Sequence, residues 1–223
     1  MSKPIVDPEL VPVDSLAGEP AVPAERLTPE GLRSHFAKPP AWTPEIFREQ
    51  LLRQNGTAAV PAAVLMPIVV RDSGLTLLLT QRTAHLNDHA GQVSLPGGRV
   101  DPEDNGSIDT ALRETEEEVG LHRRHIEVLG TLPDYFTGTG FRITPVVALV
   151  EPPFELRADP FEVAEIFEVP LSFLMNGAHH QLRSVDLPDG MGRRTFYAMP
   201  YQHFFIWGAT AGMLRNLFHL LRA

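Results

Sequence analysis

Hydrophobic and polar positions divide this chain into two unlike parts. From Ala59 onward, short apolar runs alternate with turn residues. Residues 62–70 read as a buried strand, and residues 75–81 as a second strand across the turn Asp72-Ser73-Gly74. The period then changes. Over residues 107–119, Ile108, Ala111, Leu112, Thr115 and Val119 fall on one stripe of a helix turning about 100° per residue. Gly120 stands where a left-handed C-cap is expected. Further strands are predicted at 126–131 and 142–150, and a short helix at 170–176. The segments 180–187 and 193–199 flank Pro188-Asp189-Gly190, a hairpin signal. After a strand near 203–206, a C-terminal helix carries Leu214, Leu217, Phe218 and Leu221 on one stripe. No internal repeat is visible.

The first 27 residues lack periodicity and are rich in Pro, Ala, Val and acids, the composition of a flexible arm. Two short helices are predicted behind them. Thr28-Pro29-Glu30 and Thr43-Pro44-Glu45 each offer an N-cap, a proline at the first helical position and an acid in the first turn. Residues 1–57 are therefore read as an N-terminal arm, and 58–223 as the main domain.

The helix over 107–119 carries the candidate chemistry. Glu114, Glu117 and Glu118 share a face at spacings i, i+3 and i+4, away from the apolar stripe. Carboxylates crowded that closely raise one another's pKa unless a cation neutralises them. Hard oxygen donors gathered this way suit Mg²⁺ or Mn²⁺. A glutamate-rich helix face is ordinarily just solvated. The preceding Leu95-Pro96-Gly97-Gly98 and the terminating Gly120 favour a built site instead.

The run Arg113 to Gly120 resembles the Nudix box, the metal-binding loop–helix–loop of hydrolases that cleave nucleoside diphosphates linked to another group. Two departures stand out. The spacing from Gly98 to Arg113 is one residue longer than the general pattern, with Glu103 near the expected upstream acid, and Thr115 replaces an aliphatic residue. The Thr115 hydroxyl can bond a carbonyl one turn back. Upstream, Leu78-Leu79-Thr80-Gln81-Arg82-Thr83, Asn87, Gly91 and Gln92-Val93-Ser94-Leu95-Pro96-Gly97-Gly98 are similar to the signature of the coenzyme A diphosphatase branch. Asn87 replaces a signature arginine there, and Leu95 an aromatic residue.

The resemblance implies an α/β/α sandwich with a mixed β-sheet. It implies Mg²⁺ or Mn²⁺ as cofactor, with Glu114, Glu117, Glu118 and the Gly98 carbonyl as ligands. It gives Arg113 the work of holding the loop or a helix glutamate by ion pairing. Glu117 is one candidate general base, and Glu162 or Glu165, on a later loop, is another. Arg82, Asn87, Gly91 and Arg99 become substrate-binding candidates, with Arg82 or Arg99 supplying the charge that Asn87 lacks. The favoured activity is hydrolysis of coenzyme A, or its acyl thioesters, to phosphopantetheine and adenosine 3′,5′-bisphosphate. The alternatives are a related enzyme acting on ADP-ribose, NADH or a nucleoside triphosphate, and a ligand-binding protein without catalysis.

Composition narrows the partners. The formal net charge is −9 with no Lys/Arg cluster, against a nucleic-acid-binding surface. The partner expected is a small-molecule diphosphate, and a homodimer is left open. Zero cysteines exclude thiolate nucleophiles, thiolate zinc sites and disulfides, in keeping with a reducing cytoplasm. No apolar run reaches membrane-spanning length, and no signal-peptide pattern opens the chain. The histidines show no His-Glu-x-x-His spacing; His89, within the signature loop, reads first as a hydrogen-bonded loop residue. Tyr135 and Phe136, in a loop flanked by glycine, read first as packing residues, with stacking on an adenine as the alternative.

Overall fold

The computed structural model describes residues 7–46, 59–85, 90–186 and 192–223. Its centre is strand β2 (Val60–Val69), which runs parallel to β8 (Phe141–Val150) over ten residue pairs, Val60↔Phe141 to Val69↔Val150. Both strands are covered on two faces, and so read as continuous apolar runs rather than alternating ones. β3 (Thr76–Arg82) returns antiparallel to β2 after Gly74, whose φ of 113° admits few side chains. β4 (Val93–Ser94) and β9 (Val163–Pro170) both pair with β3, and β5 (Gly97–Arg99) pairs antiparallel with β2. β6 (Ile126–Thr131) and β7 (Tyr135–Phe136) pair antiparallel with β8, so the sheet is mixed.

One face of this sheet packs under helix α2 (Ser107–Val119). Ala63, Leu65, Val146 and Ala148 meet Ala111 there, while Val69, Leu78 and Val150 meet Val119 and Leu121. The other face offers Val64, Met66, Ile68, Leu77 and Leu79 to a larger cluster. That cluster includes Leu214, Leu217, Phe218 and Leu221 of the C-terminal helix α4 (Gly208–Arg222). The result is the predicted α/β/α arrangement. α3 (Leu171–Leu174) is shorter than the 170–176 helix expected. A second, antiparallel sheet has the order β1 (Val13–Leu16), β10 (Gln181–Asp186), β11 (Arg193–Tyr201), β12 (Phe204–Trp207). β10 and β11 pair as the hairpin signal predicts, although Pro188-Asp189-Gly190 lies outside the described residues. Among the described residues no helix is long and apolar enough to cross a membrane.

The N-terminal segment corrects the expectation of a flexible arm. β1 adds an edge strand to β10, and Arg183 Nη1 donates to the carbonyls of Pro8, Glu9 and Val11 at 3.2, 2.9 and 2.7 Å. These contacts are backbone carbonyls and strand edges, which leave no hydrophobic period in the sequence. Helix α1 (Pro29–Ala37) forms as predicted, with Thr28 Oγ1 accepting from the Gly31 amide at 3.0 Å. The second predicted helix does not begin at Thr43. Residues 43–46 are irregular, and the rest of it lies outside the described residues. Ile108 is also corrected: it is 41% exposed and does not join the buried stripe of Ala111, Thr115 and Val119.

A charged cluster beneath the sheet holds this segment in place. Arg215, 2% exposed at its side chain, donates to Glu19 at 2.8 and 3.1 Å and to Glu45 at 2.9 Å. It also donates to His180 Nδ1 at 3.1 Å, while His180 Nε2 meets the Leu174 carbonyl at 2.7 Å. An arginine on one ring nitrogen and a carbonyl on the other require the neutral ring protonated at Nε2. Burial pushes His180 down to about 4, opposed by the Leu174 carbonyl and helped by the Arg215 charge. Glu45 lies near 2: burial alone would raise it, but His219, Arg215 and Tyr197 together hold it down.

The sign of the pH effect follows from linkage. Below pH 6.5 the unfolded chain protonates this histidine and the folded chain does not, so His180 costs stability as pH falls toward 4. Glu45 contributes stability above 4.5 that is lost as pH falls toward 2. Thermal unfolding from pH 7 to 4 is therefore expected to lose about 3 kcal/mol through His180. A flatter Tm-versus-pH slope in His180→Gln, measured by calorimetry, checks this; an unchanged slope contradicts it.

Candidate active site

The site forms where β5 meets α2. At Gly97, with φ 151°, a side chain would collide with the Ala63 carbonyl and the Val64 backbone. At Gly98 an added Cβ would sit in the Glu114 carboxylate. The two glycines are thus required by close approach, with Gly98 leaving its space to an acid. α2 ends at Gly120 in the left-handed region, φ 70°, with its N–H donating to the Glu116 carbonyl at 3.0 Å. Thr115 is buried and donates to the Ala111 carbonyl at 2.6 Å, which accounts for a hydroxyl at an apolar position.

The three box carboxylates share the predicted side of α2 but differ in environment. Glu118 is 4% exposed and accepts the Gly97 amide at 3.2 Å. Burial pushes its carboxyl up to about 8; the Gly97 amide and Arg82 oppose this, while Glu162 and Glu114 add to it. Glu114 is also raised, first by burial, with Arg113 lowering it and Glu117 and Glu162 raising it further. Glu117 is more exposed and pairs with Arg113 Nη1 at 2.9 Å. Among the described residues, no three acidic or histidine side chains already stand grouped around one ion.

Arg113 joins the box to the loop before it. Its Nη1 donates to Glu114 at 3.1 Å, and its Nε and Nη2 grip Asp104 at 2.8 and 3.0 Å. Asp104, with its side chain 3% exposed, also accepts from Thr110 at 2.7 Å and the Asp101 amide at 2.8 Å. Arg113 first of all, then the Asp101 amide and Thr110, hold its carboxyl far below the usual range. Sequence reasoning missed this residue, finding no obvious upstream acid and only Glu103 close by, which is exposed. The usable signal was spacing: Asp104 stands six positions after Gly98 and nine before Arg113, with Asp in place of Glu.

The later acids separate. Glu165 lies on β9 rather than on a loop, pairs in register with Gln81 and faces His203 at 3.9 Å. Glu162, just before that strand, shares Arg82 with the box: Arg82 Nη1 is 3.8 Å from Glu118 and Nη2 is 3.9 Å from Glu162. Arg82 arrives there because β3 is clipped to β4, with Thr80 and Ser94 hydroxyls 3.0 Å apart and the Arg82 amide on the Gln92 carbonyl at 2.9 Å. Arg99, one strand position beyond Gly98, turns to the opposite face and covers the Phe141 ring at 5.4 Å. Gly91, φ 72°, lies in an exposed turn and accepts from Gln81 at 3.4 Å through its carbonyl. Asn87 and His89 fall outside the described residues. Tyr135 is buried against Gly212 of α4, where a Cβ would strike its ring, so it is a packing residue.

The donors gathered here are carboxylate and carbonyl oxygens, the kind a hard divalent ion prefers. Glu118 is buried with its charge poorly compensated, Glu114 fills the space beside Gly98, and among the described residues Arg82 and Arg113 are shared by five carboxylates, Asp104, Glu114, Glu117, Glu118 and Glu162. Replacing Asp104 by Asn removes the anchor of Arg113 without touching an expected ligand. Mn²⁺ affinity is expected to fall roughly tenfold or more, measured by calorimetric titration; unchanged affinity would show that Asp104 does not support the site.

Comparison with known proteins agrees with this geometry. A model of the NUDIX domain matches residues 61–185, more than half of the chain. The chain is similar to the uncharacterized Nudix hydrolase NudL of Citrobacter koseri, at 43% identity over 175 residues covering 78% of this chain and 86% of that protein. It is similar to the uncharacterized NudL of Escherichia coli strain K12 at 42% identity with the same coverage. Among solved structures, a Nudix hydrolase from M. smegmatis, RenU, is 25% identical over 51% of this chain and 71% of that one, with a TM-score of 0.44. With two glycines fitted to a glutamate helix and relatives matched across most of its length, this chain belongs to the Nudix family.

Proposed function

We propose that this Nudix hydrolase cleaves the diphosphate of coenzyme A, or of its acyl thioesters, with water to give phosphopantetheine and adenosine 3′,5′-bisphosphate. The observation that carries the reading is the meeting of Glu118, Glu162 and Arg82 at one point. It joins the box helix to the strand bearing the coenzyme A-type signature, so the segment that marks the substrate lies beside the segment that would bind metal.

Glu114, Glu117, Glu118 and the Gly98 carbonyl would hold Mg²⁺ or Mn²⁺. The ion supplies neutralisation of phosphate charge and acidification of water. The remaining work falls to side chains. Arg113, anchored on Asp104, restrains Glu114 and Glu117. Arg82 offsets the repulsion between Glu118 and Glu162 and presents a guanidinium where a phosphate oxygen can approach. Glu162 is better placed than Glu165 to accept the proton of the attacking water, and Glu117 is the other candidate.

One observation favours a second reading, a diphosphatase for ADP-ribose, NADH or a related compound. Both arginines offered as readers of a 3′-phosphate are engaged, Arg82 with carboxylates and Arg99 with Phe141. Comparing coenzyme A with dephospho-coenzyme A separates the two readings. A lower KM for coenzyme A supports the first; equal kcat/KM, or preference for ADP-ribose, supports the second. Products identified by mass spectrometry in ¹⁸O water show which phosphorus is attacked, and no metal-stimulated turnover on any diphosphate refutes both readings. For the base, Glu162→Gln is expected to lower kcat by about 10² or more, with Glu165→Gln close to wild type; the reverse ranking would move the base to β9.

A further inference from the structure

Phe161 is 76% exposed, yet its backbone is fixed on both sides. Its N–H donates to Asp159 Oδ1 at 2.7 Å, and its carbonyl accepts the Thr83 hydroxyl at 2.7 Å. The loop is stitched further to the two elements that build the site. The Asp159 amide donates to the Glu118 carbonyl at 2.8 Å, the Arg157 amide to the Val119 carbonyl at 2.8 Å, and the Thr83 amide to the Glu162 carbonyl at 3.0 Å. Single exposed apolar side chains are common on protein surfaces and need no role. This one is a planar ring on a hydrogen-bonded loop, adjacent in sequence to Glu162, and forms a T-shaped pair with the His85 ring at 6.4 Å between centroids and 83° between planes.

We propose that Phe161, flanked by His85, is the stacking platform for the nucleobase of the substrate's nucleoside diphosphate half. The inference rests on the diphosphatase reading of the neighbouring carboxylates. A nucleoside diphosphate carries its base one ribose away from its phosphates, and Phe161 stands one residue away from a carboxylate that shares Arg82 with Glu118. A ring this exposed is open to a stacking partner, and base–aromatic stacking tolerates any base while adding affinity. The imidazole edge of His85 orients the phenyl ring and offers a hydrogen-bonding nitrogen beside it. Tyr135 cannot do this work, being packed against Gly212.

Two variants test the platform in the full chain. Phe161→Leu keeps apolar bulk but removes the π-face. Its KM for a base-bearing diphosphate that the wild type cleaves is expected to rise roughly 5- to 100-fold, with kcat within threefold; an unchanged KM overturns the proposal. Phe161→Trp places an indole at the rim. ADP is expected to quench its added fluorescence, relative to wild type, and inorganic pyrophosphate is not; equal quenching by both, or none, also overturns the proposal. If the wild type turns over no diphosphate at all, the reading of the carboxylates fails instead, and the ADP titration still decides whether the ring binds a base.

Discussion

A glutamate carboxylate held almost out of water, with only partial relief from its neighbours, is the constraint around which this protein is built. Glu118 lies in the seam between α2 and the Gly97–Gly98 turn, with one amide and a guanidinium 3.8 Å away as its nearest relief. Burying a carboxylate without a full counter-charge is unfavourable. The divalent ion we propose would relieve that cost. The other local features follow from it. Gly97 is a glycine because β2 runs close against it, and Gly98 because the Glu114 carboxylate of α2 does. Glu114 is restrained by Arg113, Arg113 is restrained by Asp104, and Asp104 is restrained by Thr110 and the Asp101 amide. Each link fixes the one above it.

The frame that keeps this seam closed reaches to both ends of the chain. α4 packs its leucines against the far face of the sheet, and Thr210 at its start donates to the Val93 carbonyl on β4 at 3.1 Å. β4 leads directly into the Gly97–Gly98 turn. The N-terminal segment is in turn fixed to α4 through Glu19, Glu45 and Arg215. A buried ion cluster of this kind brings specificity of docking more surely than net stability, because desolvation offsets much of its attraction. Segments at opposite ends of the sequence thus converge, through hydrogen-bonded contacts, on the strand that leads into Gly97 and Gly98.

Much of this was legible in the sequence where a period or a spacing encodes it. The limits of α2, its Gly120 cap and the shared face of Glu114, Glu117 and Glu118 all follow from helical geometry. The buried strands β2 and β8 follow from unbroken apolar runs. Where pairing depends on backbone groups or distant side chains, the sequence is silent. All four residues of β1, Val13-Asp14-Ser15-Leu16, are exposed and show no apolar alternation, so its docking on β10 was invisible. Asp104 has no periodic reason to be singled out, since its role is set by Arg113 folding back over nine residues. Glu162 and Glu165 look alike in sequence. Only the strand register, with Gln81 opposite Glu165 and Arg82 one step past, puts one beside the box and the other beside His203.

The central claim, that Glu118 is buried at a cost which a divalent ion relieves, is tested most directly by the Tm of wild type and Glu118→Gln with and without Mn²⁺. Gln keeps the shape and removes the charge. The account predicts that metal-free Glu118→Gln unfolds at a higher temperature than wild type at neutral pH, and that Mn²⁺ raises the wild-type Tm while leaving the variant nearly unmoved. A metal-free variant less stable than wild type, together with an equal gain from Mn²⁺ in both proteins, would contradict it.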